Sequence, residues 1–257
     1  ENVCNIFHSR NKKVIVVLNI GGVIETKSWK NKPDAILLAW QGGQESGNSI
    51  VDVLSGRVNP SGRLPMTFPI SVNDHKSSLN FPMKGNPTDI TKMLNRREKP
   101  ISKQIKNEDY TLYEEGIYIG YRHFDKDTIE VSYPFGHGLS YTKFHYENIM
   151  IEKLLDTLKI NFLIKNDGDL FGKEVAQVYV SKINASIDRP IKELKQFDKT
   201  TVLRTGESVK LEFKIPISDL AYWNENKNQW DIEKGLYNIL IGSSSKDIRL
   251  VGEFNLF

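Results

Sequence analysis

One short stretch near the start of the chain brings an aromatic, an amide and a carboxyl side chain into a single glycine-containing turn. Residues 34–47 read DAILLAWQGGQESG, and Trp40, Gln44 and Glu45 lie between an apolar run and the next polar one. An indole ring stacks on apolar ligand faces, while an amide and a carboxylate form hydrogen bonds with polar ligand groups. Parallel sheets bind their ligands at the carboxyl ends of strands, which is where this turn is predicted to lie. We therefore predict that these three side chains line the rim of a binding site.

The same residues also have a structural interpretation, which the sequence leaves open. A carboxylate in the first turn of a helix, such as Glu45, is stabilised by the helix dipole and by the free amide groups there. A tryptophan at the end of a strand, such as Trp40, commonly packs against a neighbouring side chain. Glu45 is thus either a ligand-binding group or a residue that only holds the loop in shape.

Three other sets of reactive side chains are weaker candidates. Glu114 and Glu115 are adjacent, so on an extended chain they point to opposite faces and do not converge on one bond. His137 lies between two glycines with no second histidine or cysteine at metal-ligand spacing, which indicates a turn residue. Cys4 and His8 are one helical turn apart, but nothing nearby in the sequence would orient the imidazole for nucleophilic catalysis.

Composition argues against several classes of protein. The formal net charge is +3, from 35 Lys and Arg residues against 32 Asp and Glu residues, which is too mild to indicate a nucleic-acid partner. The densest basic run, residues 92–106, contains Glu98, so we expect a solvated loop there. No apolar run approaches the roughly 20 residues that cross a bilayer, so we expect no membrane partner. The single cysteine, Cys4, excludes an internal disulfide and leaves the cellular compartment open.

The first 70 residues alternate between apolar strands and helices, which is typical of an α/β layer. The pattern predicts a helix over residues 1–10, buried strands over 13–18 and 34–40, a helix over 46–54 and a short third strand over 62–68. A sheet typically has about five or six strands, so three strands are few for a sheet that helices cover on both faces. We therefore expect part of this domain to lie outside the chain.

The rest of the chain follows two other patterns. Residues 71–145 are predicted to form an irregular connecting segment that packs on the α/β domain, because the sequence up to residue 111 shows no sustained period. Residues 146–257 contain runs that alternate apolar and polar residues, as in 158–166 and 208–216, with turn signals between the runs. This spacing predicts an antiparallel β-sandwich.

Several stretches together resemble the C-terminal half of a glycoside hydrolase family 3 enzyme, the family of β-glucosidases and β-xylosidases. They are residues 39–69, 113–125, 133–144, 166–180, 189–199 and 235–250. The resemblance implies a (β/α)8 barrel, then an α/β sandwich domain, then a fibronectin type III-like domain. This chain would supply the end of the α/β sandwich domain as residues 1–70 and the fibronectin type III-like domain as residues 146–257.

The resemblance also implies a chemistry. Such enzymes are retaining, exo-acting β-glycosidases, and the parent protein would remove a terminal β-linked sugar. Glucose is the expected sugar. Retaining enzymes use two carboxyl groups about 5 Å apart and need no metal or cofactor. In the family the nucleophile lies on the barrel and the acid/base glutamate lies upstream of the strand at 13–18, so no catalytic residue is expected in this chain. The implied partners are a carbohydrate substrate and the N-terminal barrel half, in the same precursor or as a separate chain.

A second hypothesis belongs to another class of function. The chain would then be a non-catalytic module whose β-sandwich binds a carbohydrate or another protein through Tyr222, Trp223 and Trp230. The same residues fit an ordinary strand and turn of the family, so the sequence leaves this alternative open.

Overall fold

The computed structural model describes residues 1–80 and 112–257. The basic run at 92–106 and most of the irregular part of the segment 71–145 fall outside the described residues. Among the residues described, no helix combines the length and the apolar character needed to cross a bilayer.

The N-terminal part contains the predicted α/β layer. Helix α1 (Asn2–His8) is followed by strand β1 (Ile15–Leu18), strand β2 (Ala35–Leu38) and helix α2 (Ser46–Leu54). The two strands pair in parallel, with Ile15 opposite Ala35. Their continuous apolar sequences suit a parallel pair, which is normally covered on both faces. The predicted helices and the first two predicted strands are therefore confirmed.

The expected third strand over residues 62–68 is largely wrong. Strand β3 contains only Phe68 and Pro69, and it pairs antiparallel with β4 (Val131–Tyr133) instead of joining β1 and β2. Pro65 and Pro69 have no amide hydrogen and cannot continue a hydrogen-bonded ladder. Leu64 instead forms backbone hydrogen bonds with the turn at residues 136–137, donating to the His137 carbonyl at 2.9 Å and accepting from the Gly136 amide at 2.8 Å.

The C-terminal part is an antiparallel β-sandwich, as predicted. Its strands are β5 (Phe144–Lys153), β6 (Thr157–Asn166), β7 (Val175–Lys182), β8 (Glu193–Lys199), β9 (Ser208–Pro216), β10 (Tyr222–Asn224), β11 (Gln229–Asp231), β12 (Gly235–Gly242) and β13 (Ile248–Leu256). One sheet has the order β5-β6-β9 and the other the order β13-β12-β7-β8. Between β9 and β12 lies a separate hairpin of two short strands, β10 and β11.

The two inner faces of the sandwich form the core. On β6 the predicted apolar face is buried, with Ile160, Phe162 and Ile164 each at most 1% exposed. On β9 the burial alternates in the same way, because Phe213 and Ile215 are buried while the lysines and the glutamate between the apolar residues are exposed. The period of two thus predicted the buried face of both strands correctly.

The N-terminal α/β layer leaves an unusual amount of apolar surface open. Strand β1 and both helices expose large apolar side chains. They are Val3, Ile6, Phe7, Ile15, Val17, Val51 and Leu54. Large contiguous apolar surface usually marks a contact with another part of a protein or another protein.

The core of the sandwich provides a direct test of the packing. Phe162 is stacked between Tyr146 and Phe213, with ring centroids 6.1 Å and 5.7 Å away. We expect Phe162→Ala to lower the free energy of unfolding by about 3–5 kcal/mol, because it removes a buried ring and leaves a cavity. Urea denaturation followed by circular dichroism measures this loss.

Phe197→Ala is the matched control, because Phe197 lies on β8 with 67% of its surface exposed. This variant should change the free energy of unfolding by no more than about 0.5 kcal/mol. Equal losses in the two variants would contradict the assignment of the core.

An α/β rim loop and its ionic support

The predicted rim residues lie in the loop that joins β2 to α2. Because β1 and β2 are parallel, the loops that follow them leave the sheet at the same edge. These loops are in contact, since a Cβ atom built on Gly21 would lie 2.9 Å from Nε2 of Gln41. Trp40, Gln44 and Glu45 therefore occupy the carboxyl edge of the parallel pair, where α/β sheets place their ligands.

Trp40 holds a backbone conformation that a large side chain rarely adopts. Its φ is +53°, in the left-handed region, and its half-buried ring lies against Phe68 with centroids 6.5 Å apart. Strained backbone of this kind persists only where the surrounding structure imposes it, and it clusters at ligand sites. The loop then turns tightly into α2, because a Cβ atom on Gly42 would lie 2.3 Å from Oγ of Ser46.

Glu45 is the N-cap residue of α2, but its carboxylate does not cap the helix. The side chain makes no hydrogen bond to the backbone amides of the first turn. Its Oε2 instead accepts a hydrogen bond of 2.6 Å from Nδ2 of Asn48, one turn along the helix. Glu45 and Gln44 are both exposed, so each side chain is accessible to a ligand at this edge.

The weaker candidates take up structural positions. Glu115 is buried while Glu114 is exposed, which fits the prediction that the two carboxylates do not converge. His137 stacks on Tyr133 at 5.1 Å, and burial, with the nearby charge of Arg63 next, lowers its pKa. His137 thus lies in a turn, as the sequence predicted.

The structure gives no support to Cys4 and His8 as a nucleophile and base. Cys4 is buried, and Nε2 of His8 lies 2.9 Å from Oδ2 of Asp34. Within residues 1–80 and 112–257, no group of three or more His, Cys, Asp or Glu side chains could hold a metal ion.

Sequence analysis missed a buried ionic cluster that joins the N-terminal part to the sandwich. Glu174, which immediately precedes β7, is 1% exposed. Its Oε2 lies 2.5 Å from Nη2 of Arg63, and its Oε1 accepts a hydrogen bond of 2.8 Å from the Tyr146 hydroxyl. The guanidinium of Arg249 lies over the Tyr146 ring, 4.9 Å from its centroid. The sequence contains one signal of this cluster, which is a glutamate directly before the apolar run VAQVYV.

These residues border a cavity of about 600 Å³ between the two parts of the chain, which His137 and Asp247 also line. Both oxygens of Glu174 are engaged, so this carboxylate is a buried ion-pair partner and not a free acid or base. Burial, followed by the charge of Glu174, holds the pKa of Tyr146 well above its usual range. The Arg249 guanidinium lowers the pKa of Asp247.

A second set of contacts docks the helix Tyr121–Lys126 against the sandwich. Asp125 is buried and pairs with Lys192 on one side and with Nζ of Lys246 at 2.6 Å on the other. The Tyr121 hydroxyl accepts a hydrogen bond of 2.7 Å from the Leu194 amide. The two parts of the chain are therefore joined by buried charges as well as by the covalent link.

Two domain families match the chain in sequence. Residues 2–121 match the glycosyl hydrolase family 3 C-terminal domain, and residues 174–245 match the fibronectin type III-like domain. The first match runs across the predicted boundary at residue 70, and the boundaries 1–70, 71–145 and 146–257 stay predictions.

Individual relatives match nearly the whole chain. A thermostable β-glucosidase B from Acetivibrio thermocellus is 39% identical over 92% of this chain, and an exo-α-(1→6)-L-arabinopyranosidase from Bifidobacterium breve is 35% identical over 93%. The structure of β-glucosidase 3B from Thermotoga neapolitana in complex with α-D-glucose superimposes on 98% of the chain, with a TM-score of 0.86 and 43% identity. The chain spans 28–32% of the length of these three proteins.

The ionic cluster leads to a prediction about alkaline pH. A tyrosine in the unfolded chain ionises near its ordinary pKa of about 10, whereas Tyr146 stays protonated in the folded protein. The raised pKa thus favours the unfolded state once the pH passes about 10, and the stability of the parent chain falls there. Tyr146→Phe removes this contribution, so the difference in stability between parent and variant should narrow by about 1.4 kcal/mol per pH unit above about pH 10.

Urea denaturation of both proteins at several pH values from neutral to alkaline measures this difference. At neutral pH the variant should be less stable by about 1–2 kcal/mol, because Glu174 loses a buried hydrogen bond. A difference that stays constant through the alkaline range would show that Tyr146 ionises normally in the folded protein.

Proposed function

Because the chain carries the C-terminal domain of glycosyl hydrolase family 3 followed by a fibronectin type III-like domain, we propose that it is the C-terminal segment of a retaining, exo-acting β-glycosidase. The two domain matches confirm the resemblance to the C-terminal half of a glycoside hydrolase family 3 enzyme that the sequence motifs indicated. The observation that carries the proposed activity is the superposition of 98% of this chain on 32% of a β-glucosidase in complex with glucose.

The catalytic carboxylates of this enzyme lie outside the chain. A retaining mechanism needs two carboxyl groups about 5 Å apart, one of them free to attack the sugar and the other to exchange a proton. Among the residues described, the buried carboxylates of Glu174 and Asp125 are both held in ion pairs. Their oxygens are occupied by these partners, which supports a structural role for both.

The partner of this chain is the N-terminal barrel half of the enzyme, in the same precursor or as a separate chain. The exposed apolar side chains of α1, β1 and α2 support this proposal, because a parallel pair of strands is normally covered on both faces. The chain contributes part of the α/β layer and the sandwich that supports it.

Trp40, Gln44 and Glu45 form part of the active-site rim and contact the carbohydrate substrate. The strained conformation of Trp40 and the exposure of Gln44 and Glu45 support this role. Glucose is the proposed terminal sugar, by analogy with the β-glucosidases among the relatives. One relative is named for an arabinopyranoside, so the sugar is tested against an arabinoside as well.

A chimera tests the proposed activity. The matched C-terminal segment of the Thermotoga neapolitana β-glucosidase 3B is replaced by this chain, which is 43% identical to it. We expect the chimera to hydrolyse an aryl β-glucoside faster than an aryl arabinopyranoside, and the isolated chain to hydrolyse neither. Hydrolysis by the isolated chain would contradict the placement of the carboxylates, and a folded but inactive chimera would contradict the proposed function.

The same chimera distinguishes the two interpretations of Glu45. Glu45→Gln keeps the shape of the side chain but removes the charge, so loss of a charge-assisted hydrogen bond to substrate should raise KM about tenfold with a smaller change in kcat. Glu253→Gln, at an exposed position of β13, is the control and should leave both constants unchanged. An unchanged KM in Glu45→Gln would show that Glu45 only shapes the loop.

A further inference from the structure

A short hairpin on the β-sandwich presents two tryptophan rings to solvent. Strands β10 and β11 pair so that Trp223 lies directly opposite Trp230. Residues directly opposite on adjacent strands place their side chains on the same face. The two rings are in contact, with centroids 5.7 Å apart and an interplanar angle of 77°. They therefore form one continuous aromatic surface.

These rings are not used by the core of the sandwich. Trp223 is 47% exposed and Trp230 is 68% exposed, and neither belongs to the buried cluster of the two sheets. Tryptophan is highly buried on average, so two exposed indoles in contact are informative. Their free surface is available for binding.

The opposite face of the hairpin holds it in shape. Side chains alternate along a strand, so Asn224 and Asp231 lie on the face away from the indoles. Nδ2 of Asn224 donates to Oδ2 of Asp231 at 3.1 Å, and Nζ of Lys227 donates to the same oxygen at 2.7 Å. Oδ1 of Asn224 also accepts a hydrogen bond from the Lys227 amide at 3.2 Å. The aromatic surface is thus preorganised, which lowers the entropy cost of binding.

The size of this surface distinguishes between ligands. At 47% and 68% exposure, two indoles offer roughly 250 Å², whereas a stable protein interface buries about 800 Å² on each partner. A sugar ring is small enough to be covered by one indole, and its apolar face of C–H groups suits an aromatic ring. The area therefore favours a chain of sugar rings over a protein partner.

We infer that Trp223 and Trp230 form a platform that binds a β-linked glucan chain. The polysaccharide class follows from the exposed aromatic surface, and the β-glucan identity rests on the proposed function. The platform binds sugar units by stacking and requires no hydrolysis. It would hold polymeric substrate on the sandwich while the active site acts on chain ends.

Isothermal titration of the full 257-residue chain with cellohexaose tests this inference, with maltohexaose as the α-linked comparison. We expect weak binding of cellohexaose, with a Kd on the order of 1 mM or below, and weaker binding of maltohexaose. Trp223→Ala and Trp230→Ala should each weaken binding about three- to tenfold, and the double variant should bind too weakly to measure. Trp230→Phe keeps a flat ring and should stay within about threefold of the parent.

Phe197→Ala removes an aromatic ring that is about as exposed as that of Trp230, but from another strand, and should bind like the parent. Thermal unfolding of every variant checks that the fold is intact, which we expect because both tryptophans are exposed. Absence of binding by the folded parent, or undiminished binding by the double variant, would overturn the platform. Equal affinity for maltohexaose would overturn the assignment to β-linked glucans.

Light scattering separates the platform from a protein interface. A concentration-dependent dimer that Trp230→Ala dissociates would show that the rings bind a second copy of the chain, and this would also overturn the inference. The titration measures binding without hydrolysis. Absence of binding would therefore overturn the platform without contradicting the activity of the chimera. An inactive chimera likewise leaves the titration result standing.

Discussion

The buried carboxylate of Glu174 is the group on which the arrangement of the two parts depends. A charge that is 1% exposed must be paired, and its partners come from both parts, Arg63 before the connecting segment and Tyr146 on β5. Removing one partner of such a pair costs about 3–5 kcal/mol, because the other charge remains buried. The pair therefore holds the α/β layer and the sandwich in one orientation, and the contacts of Asp125 with Lys192 and Lys246 add a second attachment.

This attachment continues by direct contacts to the proposed rim. Leu64, next to Arg63, is hydrogen-bonded to the turn that contains His137, and the His137 ring stacks on Tyr133. Phe68 then lies between Tyr133 at 6.2 Å and Trp40 at 6.5 Å. The strained Trp40 loop is thus connected to the sandwich by a continuous series of packed side chains. Binding loops placed on a rigid scaffold in this way keep their side chains in position.

Two exposed apolar surfaces of this chain differ in character. The side chains on α1, β1 and α2 are aliphatic or aromatic residues of an incompletely covered layer, which supports a missing protein partner. The indoles of β10 and β11 are confined to one small hairpin whose polar face is internally hydrogen-bonded. The larger, mixed surface of the first kind suits contact with another part of a protein, whereas a small rigid aromatic surface suits a sugar ring.

The sequence by itself determined the regular elements, because periodicity is a local property. Helix α2 was predicted over 46–54 and is observed as Ser46–Leu54, and the buried faces of β6 and β9 follow the period of two. It also determined the loop that carries Trp40, since glycines after an apolar strand mark a turn. Only the tertiary structure decided that Leu64 pairs with a distant turn, that Arg63 meets Glu174 and that Trp40 is strained. Each of these depends on contacts between residues far apart in the chain, which no local pattern records.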